Sequence, residues 1–249
     1  MTNGNEQTIV LVHGAWHGGW CYRRVADLLR GGGHRVYTPT LTGLGERSHL
    51  LTRSIDLSTH IADIVNLIRW EDLQRIILVG HSYGGMVMTD AATGNPNVKA
   101  LVYVAAFAPD AGDSIATLEA KNPGSQVGLS ALTLRPYPGG VDAYITPSVF
   151  HSVFCADVPA GTAAVMAATQ RPIDAAVEAE PSGPPAWRTI PSWYLVASED
   201  HAIPPATERF MARRAGATTV EISASHVAMV SHPEAVTDLI LDAARASSK

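Results

Sequence analysis

Short, uninterrupted apolar runs recur along the chain at Ile9-Val10-Leu11-Val12, Arg35-Val36-Tyr37, Ile76-Ile77-Leu78-Val79, Leu101-Val102-Tyr103-Val104, Trp193-Tyr194-Leu195-Val196 and Thr219-Val220-Glu221-Ile222. Each is too short and too rich in β-branched residues to stand as a helix, and runs apolar on both faces predict strands covered from both sides. Between them the spacing turns helical. Leu57, Ile61, Ile64, Val65 and Ile68 share one face, with Asp63, Asn66 and Arg69 on the other. A last helix is predicted from Ser231-His232-Pro233-Glu234, with proline near its first position and an apolar stripe on Val236, Leu239, Ile240 and Ala243. The alternation predicts an α/β fold, a mostly parallel central sheet with helices on both faces.

From about residue 108 to 190 the rhythm breaks. Proline recurs at 109, 123, 136, 138, 147, 159, 172, 181, 184 and 185, and no buried-strand run appears. Residues 108–190 are therefore expected to form a helical cap, inserted into a core made of 1–107 and 191–249 and lying over the carboxyl ends of the strands as part of a single structural unit. No internal repeat is present, and low complexity is confined to the Pro/Gly-rich stretch 180–185.

A chain of 249 residues with 46% hydrophobic content can bury a sizeable core. Its 18 basic and 23 acidic residues leave a net charge of -5 without a cluster of like charge, so nothing points to a nucleic acid or an anionic membrane as partner. The polar start Met1-Thr2-Asn3-Gly4-Asn5-Glu6-Gln7-Thr8 lacks the pattern of a secretory leader, and no apolar stretch reaches the roughly 20 residues of a membrane-spanning helix. The expectation is a soluble, cytoplasmic protein with no membrane partner; a homodimer is left open. Two cysteines, Cys21 and Cys155, are too few for a disulfide framework, and no local pattern marks Cys21 as a nucleophile.

The sharpest chemical signal is Gly80-His81-Ser82-Tyr83-Gly84-Gly85, directly after the strand Ile76-Ile77-Leu78-Val79 and before a helical stretch at 86–92. This is a G-x-S-x-G elbow in a strand-turn-helix context, where the serine hydroxyl projects from a strained turn and the glycines let strand and helix approach. A serine hydroxyl needs a base within reach and a third group to fix the base's tautomer. After this elbow the acid and then the histidine follow in chain order. Asp200, in Ser198-Glu199-Asp200-His201 after the Trp193 strand, is the best acid; Glu199 competes closely and Asp110 is a distant third. His226 lies in the loop after the last strand and is the natural base, while His232 has a sufficient structural role beside Pro233. Histidines 17, 34, 49, 60, 151 and 201 are assigned to surface or packing, and their scatter makes no metal-ligand pattern. The backbone N–H of Tyr83 supplies one oxyanion donor at a helix start, and the loop His13-Gly14-Ala15-Trp16-His17-Gly18-Gly19-Trp20 supplies the second, from Ala15. That loop lacks the spacing of a phosphate-binding loop, and no cofactor or metal is implied.

These segments, with Val79-Gly80-His81-Ser82-Tyr83-Gly84-Gly85-Met86, Ser198-Glu199-Asp200-His201-Ala202-Ile203-Pro204 and His226-Val227-Ala228-Met229, resemble over nearly the whole chain the α/β-hydrolase branch of plant methyl esterases (including the salicylate-binding type), hydroxynitrile lyases and bacterial esterases. The resemblance implies an α/β-hydrolase fold, a triad of Ser82, Asp200 and His226, oxyanion donors Ala15 and Tyr83, and a small-molecule ester substrate. It favours Asp200 over Glu199. Cyanohydrin-cleaving members carry threonine after the first-loop histidine and lysine after the catalytic histidine; here those positions are Gly14 and Val227, which favours ester hydrolysis. Leu41-Thr42-Gly43-Leu44-Gly45-Glu46-Arg47-Ser48 looks more like bacterial members than plant ones. Fold and triad leave the scissile bond open to lactones, thioesters or carbon-carbon bonds, and leave room for a low-turnover receptor on the same scaffold. Phe107, Phe150, Phe154, Trp16 and Met229 are as well suited to core as to a substrate pocket.

Overall fold

The structure, a computed structural model, describes residues 6–247, so most of the polar start read for a leader lies outside the described residues. In chain order its elements are β1 (Thr8–Val12), α1 (Arg23–Gly31), β2 (Arg35–Tyr37), α2 (Leu57–Trp70), β3 (Ile76–Ser82), α3 (Gly84–Ala91), β4 (Val98–Ala106), α4 (Ile115–Glu119), β5 (Leu132–Tyr137), β6 (Gly140–Ile145), α5 (Pro147–Phe154), α6 (Ala160–Thr169), β7 (Ile173–Asp174), β8 (Ser192–Ala197), α7 (Pro205–Arg214), β9 (Thr218–Ile222), α8 (Ala228–Ser231) and α9 (Pro233–Ala246). Each of the six predicted runs falls within a strand. Those strands form one sheet in the order β2-β1-β3-β4-β8-β9, parallel at every pairing.

Alternation along β1 divides the core in two. Ile9 and Leu11 pack on one face with Val25 and Leu29 of α1 and Val236, Leu239 and Ile240 of α9. Val10 and Val12 pack on the other with Ile64 and Ile68 of α2, Met86 and Val87 of α3 and Met211 of α7. Burying each such side chain contributes about 1.5–3 kcal/mol, and a one-residue slip would exchange the faces of the whole strand. Register is thereby fixed, with Thr8 opposite Ile76 and Val12 opposite Gly80.

Three details depart from the sequence reading. In α2, Val65 is exposed and His60 takes a buried place on the inner face, while Asp63, expected to point outward, accepts hydrogen bonds from the Thr42 N–H (2.6 Å) and hydroxyl (2.9 Å). β9 is an edge strand and mostly exposed, although its sequence reads as a core run. Residues 108–190 contain helices α4, α5 and α6, but also an antiparallel sheet in the order β5-β6-β7. Its first strand carries Pro136 and is largely solvated, so it shows none of the continuous hydrophobicity that marks the central strands.

β2 lies on one side of β1 and β3 on the other, so the winding reverses between β1 and β3. In an open parallel sheet that reversal leaves a crevice at the carboxyl ends of the two strands. The loop after β1 and the last residue of β3 meet there. Among the described residues no helix is long and apolar enough to cross a membrane.

Candidate active site

Ser82 ends β3 with a left-handed backbone, φ 52°. For a non-glycine residue that conformation costs about 1–3 kcal/mol and persists only where surrounding packing enforces it. Three glycines permit the turn. A Cβ on Gly80 would lie 2.7 Å from the Gly84 carbonyl oxygen, one on Gly84 2.5 Å from that of Val12, and one on Gly85 2.1 Å from that of Phe107. All three contacts are with backbone, which does not yield as a side-chain tip would. The chain thus turns from strand into α3 within two residues.

β8 delivers the loop that carries Asp200, and β9 the loop that carries His226. Asp200 Oδ1 accepts the N–H groups of Ala202 (2.6 Å) and Ile203 (2.9 Å), and Oδ2 accepts His226 Nδ1–H at 2.6 Å. The two residues are 3% and 1% exposed. With Nδ1 donating, Nε2 is left with its lone pair, the tautomer a general base requires. The rival acids are elsewhere: among the described residues the Glu199 carboxylate accepts from the Ser198 hydroxyl at 3.4 Å, and Asp110 pairs with Arg188 at 2.7 Å. The histidine loop is itself anchored, because Asp157 accepts from the Ser225 N–H (3.0 Å) and hydroxyl, and the His226 carbonyl accepts from His81 Nε2–H at 2.9 Å. His232 sits at the start of α9 and faces Asp157 at 3.4 Å, a structural place.

Ser82 and His226 line one cavity, together with Ala15, Tyr83, Trp16 and Phe107. Among the described residues no hydrogen bond joins the serine hydroxyl to the imidazole; such contacts commonly tighten only around a substrate. The first loop is held from both sides. Its His13 donates Nδ1–H to the Gly14 carbonyl at 2.7 Å and accepts the Leu41 N–H at 3.0 Å, and burial lowers this imidazole to about 4, so it acts as a neutral clamp. Trp16, left-handed at φ 62°, donates its indole N–H to the Ala143 carbonyl at 3.0 Å, which ties the loop to β6. Tyr83 donates its hydroxyl to His60 Nδ1 at 2.7 Å, and His60 Nε2–H donates to the Thr42 carbonyl at 2.8 Å.

Residues 9–239 match the profile of the alpha/beta hydrolase family. The chain belongs to that family. A carbendazim hydrolyzing esterase of Nocardioides sp. is 56% identical over 110 residues, a match spanning 44% of this chain and about half of that protein, 46%. Methylesterase 2 of Arabidopsis thaliana is 28% identical over 253 residues and 95% of each chain. A solved pyrethroid hydrolase superposes with a TM-score of 0.82 at 25% identity, covering 98% of this chain and 100% of its own.

The cavity of this alpha/beta hydrolase is lined mainly by apolar groups, with three carboxyls, Glu119, Asp174 and Glu178, among them. Burial raises Glu119 to about 7, helped by the nearby charges of Glu178 and Asp200, and burial also raises Glu178. Trp16 and Phe107 do line the cavity, whereas Phe150, Phe154 and Met229 belong to the core. Cys21 is buried, and burial pushes its thiol far above the usual range, which suits packing and not nucleophilic attack. Among the described residues no group of three or more His, Cys, Asp or Glu is placed to share a metal ion.

The supporting residues His60, His81, Asp157 and Glu119 were not singled out for the site from sequence. Only His81 carried a signal, its place between Gly80 and Ser82. The other three come from helices or from the 108–190 segment, and nothing in their local sequence announces the partner.

Proposed function

We propose that this alpha/beta hydrolase cleaves carboxylic esters of small, largely apolar substrates through an acyl-enzyme on Ser82. The observation that carries the reading is the buried Asp200–His226 pair, 2.6 Å apart, set beside a strained Ser82 on a single apolar-lined cavity. Ser82 Oγ attacks the ester carbonyl while His226 Nε2 takes its proton. The N–H groups of Ala15 and Tyr83 receive the developing oxyanion, and Asp200 stabilises the imidazolium. The imidazolium then gives its proton to the leaving alkoxide. Water, deprotonated by His226, releases the acid and restores the serine. The 108–190 segment acts as the cap, supplying Ile115, Glu119, Ala143 and Ile173 to the wall.

Two positions support hydrolysis over cyanohydrin cleavage. A Cβ on Gly14 would lie 2.7 Å from Ser82 Cβ, so a threonine does not fit there without a shift, and Val227 beside the base is fully buried and apolar. Relatives named as esterases support the same bond class. In the test, a fluorophosphonate labels Ser82 stoichiometrically, and p-nitrophenyl esters give a burst of one alcohol per site followed by steady turnover. Ester turnover with the label on another residue would remove the proposal.

Glu119 adds a pH-dependent selectivity. Its carboxyl becomes charged as pH rises through about 7, placing a negative group in the substrate cavity. KM for a singly anionic ester is expected to rise on the order of tenfold between about pH 6 and pH 8, well beyond the change for a neutral ester of equal size. Glu119→Gln should flatten that difference; parallel KM profiles for the two esters in the unaltered protein would contradict it.

A further inference from the structure

Glu208 is a carboxylic acid that the reaction above does not use. It lies in the first turn of α7, fully buried. Among the described residues no cation pairs with it: the neighbouring Arg209 turns outward to Glu221, at 2.9 Å through Nε. Its Oε2 accepts the N–H of Ala197, the last residue of β8, at 3.1 Å. Among the described residues no N–H or O–H reaches its Oε1, although that atom is buried. The polar side chain in contact with it is Asp200, whose own oxygens already receive Ala202, Ile203 and His226. Two carboxylates that only accept cannot share a dry contact while both are charged. Burial, and then the charge on Asp200, push Glu208 well above the usual carboxylate range.

We infer that Glu208 is kept protonated and donates its carboxyl O–H to Asp200, which makes it a positioning residue for the triad. The bond gives Asp200 a donor from α7 in addition to two backbone donors and the imidazole, so the carboxylate is fixed from every side and part of its charge is dispersed. The other titratable groups facing this pair are Tyr194 on β8, whose hydroxyl donates to the Ala106 carbonyl, Glu119 from the cavity side, and Arg209. Among the described residues none of these offers Glu208 a cation at contact distance, and Asp200 is the acceptor beside it.

The inference rests on Asp200 serving as the acid of the triad, and its test separates the two. At neutral pH the infrared difference spectrum between wild type and Glu208→Gln is expected to contain the C=O stretch of a protonated carboxyl. Glu208→Met keeps the volume and loses the donor; kcat/KM is expected to fall about tenfold. The acid limb of its pH profile should move up by roughly half a unit, because Asp200 without that donor holds the imidazolium more tightly. Glu208→Gln, whose amide can donate to Asp200 and accept from Ala197, should rescue most of the loss and bring the limb back. Absence of the carboxyl band, or a Gln variant as impaired and as shifted as the Met variant, overturns the inference. The band is read without substrate, so it decides the matter even where the Met variant does not fold or where Ser82 proves not to be the nucleophile.

Discussion

Ser82→Ala is expected to lower kcat for ester hydrolysis on the order of 10⁵–10⁶-fold, with KM changed little and the melting temperature within a few degrees of wild type. The substitution removes one oxygen and leaves everything else in place: the Asp200–His226 pair, the first-turn N–H groups of α3 and the cavity wall. It leaves the backbone strain in place too. Alanine at φ 52° is no more comfortable than serine, so the elbow's cost is unchanged and stability should hardly move. What survives is the catalysis that a prearranged oxyanion site gives an attacking water, a residual typically about 10³–10⁴ above solution. Initial rates on p-nitrophenyl esters, paired with thermal melts, make the measurement. Activity within tenfold of wild type in a folded variant would mean another nucleophile.

The central sheet was legible because parallel strands are buried on both faces, so each appears as a continuous apolar run such as Ile76-Ile77-Leu78-Val79. The elbow was legible because its constraint is local: the close approaches at Gly80 and Gly84 must be solved by residues adjacent to the serine. The strands β5 and β6 were not, because a solvated antiparallel pair needs only polar residues and a turn, and Pro136 argues against a strand by its own chemistry. β9 misled in the opposite direction. Its sequence has the apolar content of a core strand, yet nothing in a five-residue segment says that no further strand will pair on its outer side. His60 and Glu208 show the same limit for side chains. Each is a polar residue on a helix whose surface-like sequence conceals a buried partner, Tyr83 in one case and Asp200 in the other. Their roles exist only once residues distant in sequence are brought together.

That dependence on distant partners gives Asp200→Asn the second large effect, a fall in kcat of about 10⁴. The argument turns on which way the amide must face. Oδ1 of Asp200 receives two backbone N–H groups, from Ala202 and Ile203, and only an acceptor can occupy that side. In the asparagine variant the amide oxygen therefore stays there and the NH₂ is forced toward His226 Nδ1, where it donates. The imidazole must then carry its proton on Nε2, the atom that should be taking one from Ser82, and the charge that stabilised the imidazolium is gone as well. The opposite rotamer points NH₂ at two N–H donors inside a buried turn, which strands three donors without an acceptor. Only the second orientation would leave Nε2 free to accept a proton, and its stranded donors keep it unpopulated, so the variant lacks a working base. The variant should stay folded, since the backbone hydrogen bonds survive in the first orientation, and its residual rate should climb with hydroxide concentration as the imidazole no longer supplies the proton acceptor. Glu199→Gln, altering a carboxylate that does not touch His226, serves as the control and should leave kcat nearly unchanged. An asparagine variant within tenfold of wild type, or a larger loss at Glu199 than at Asp200, would place the triad acid elsewhere.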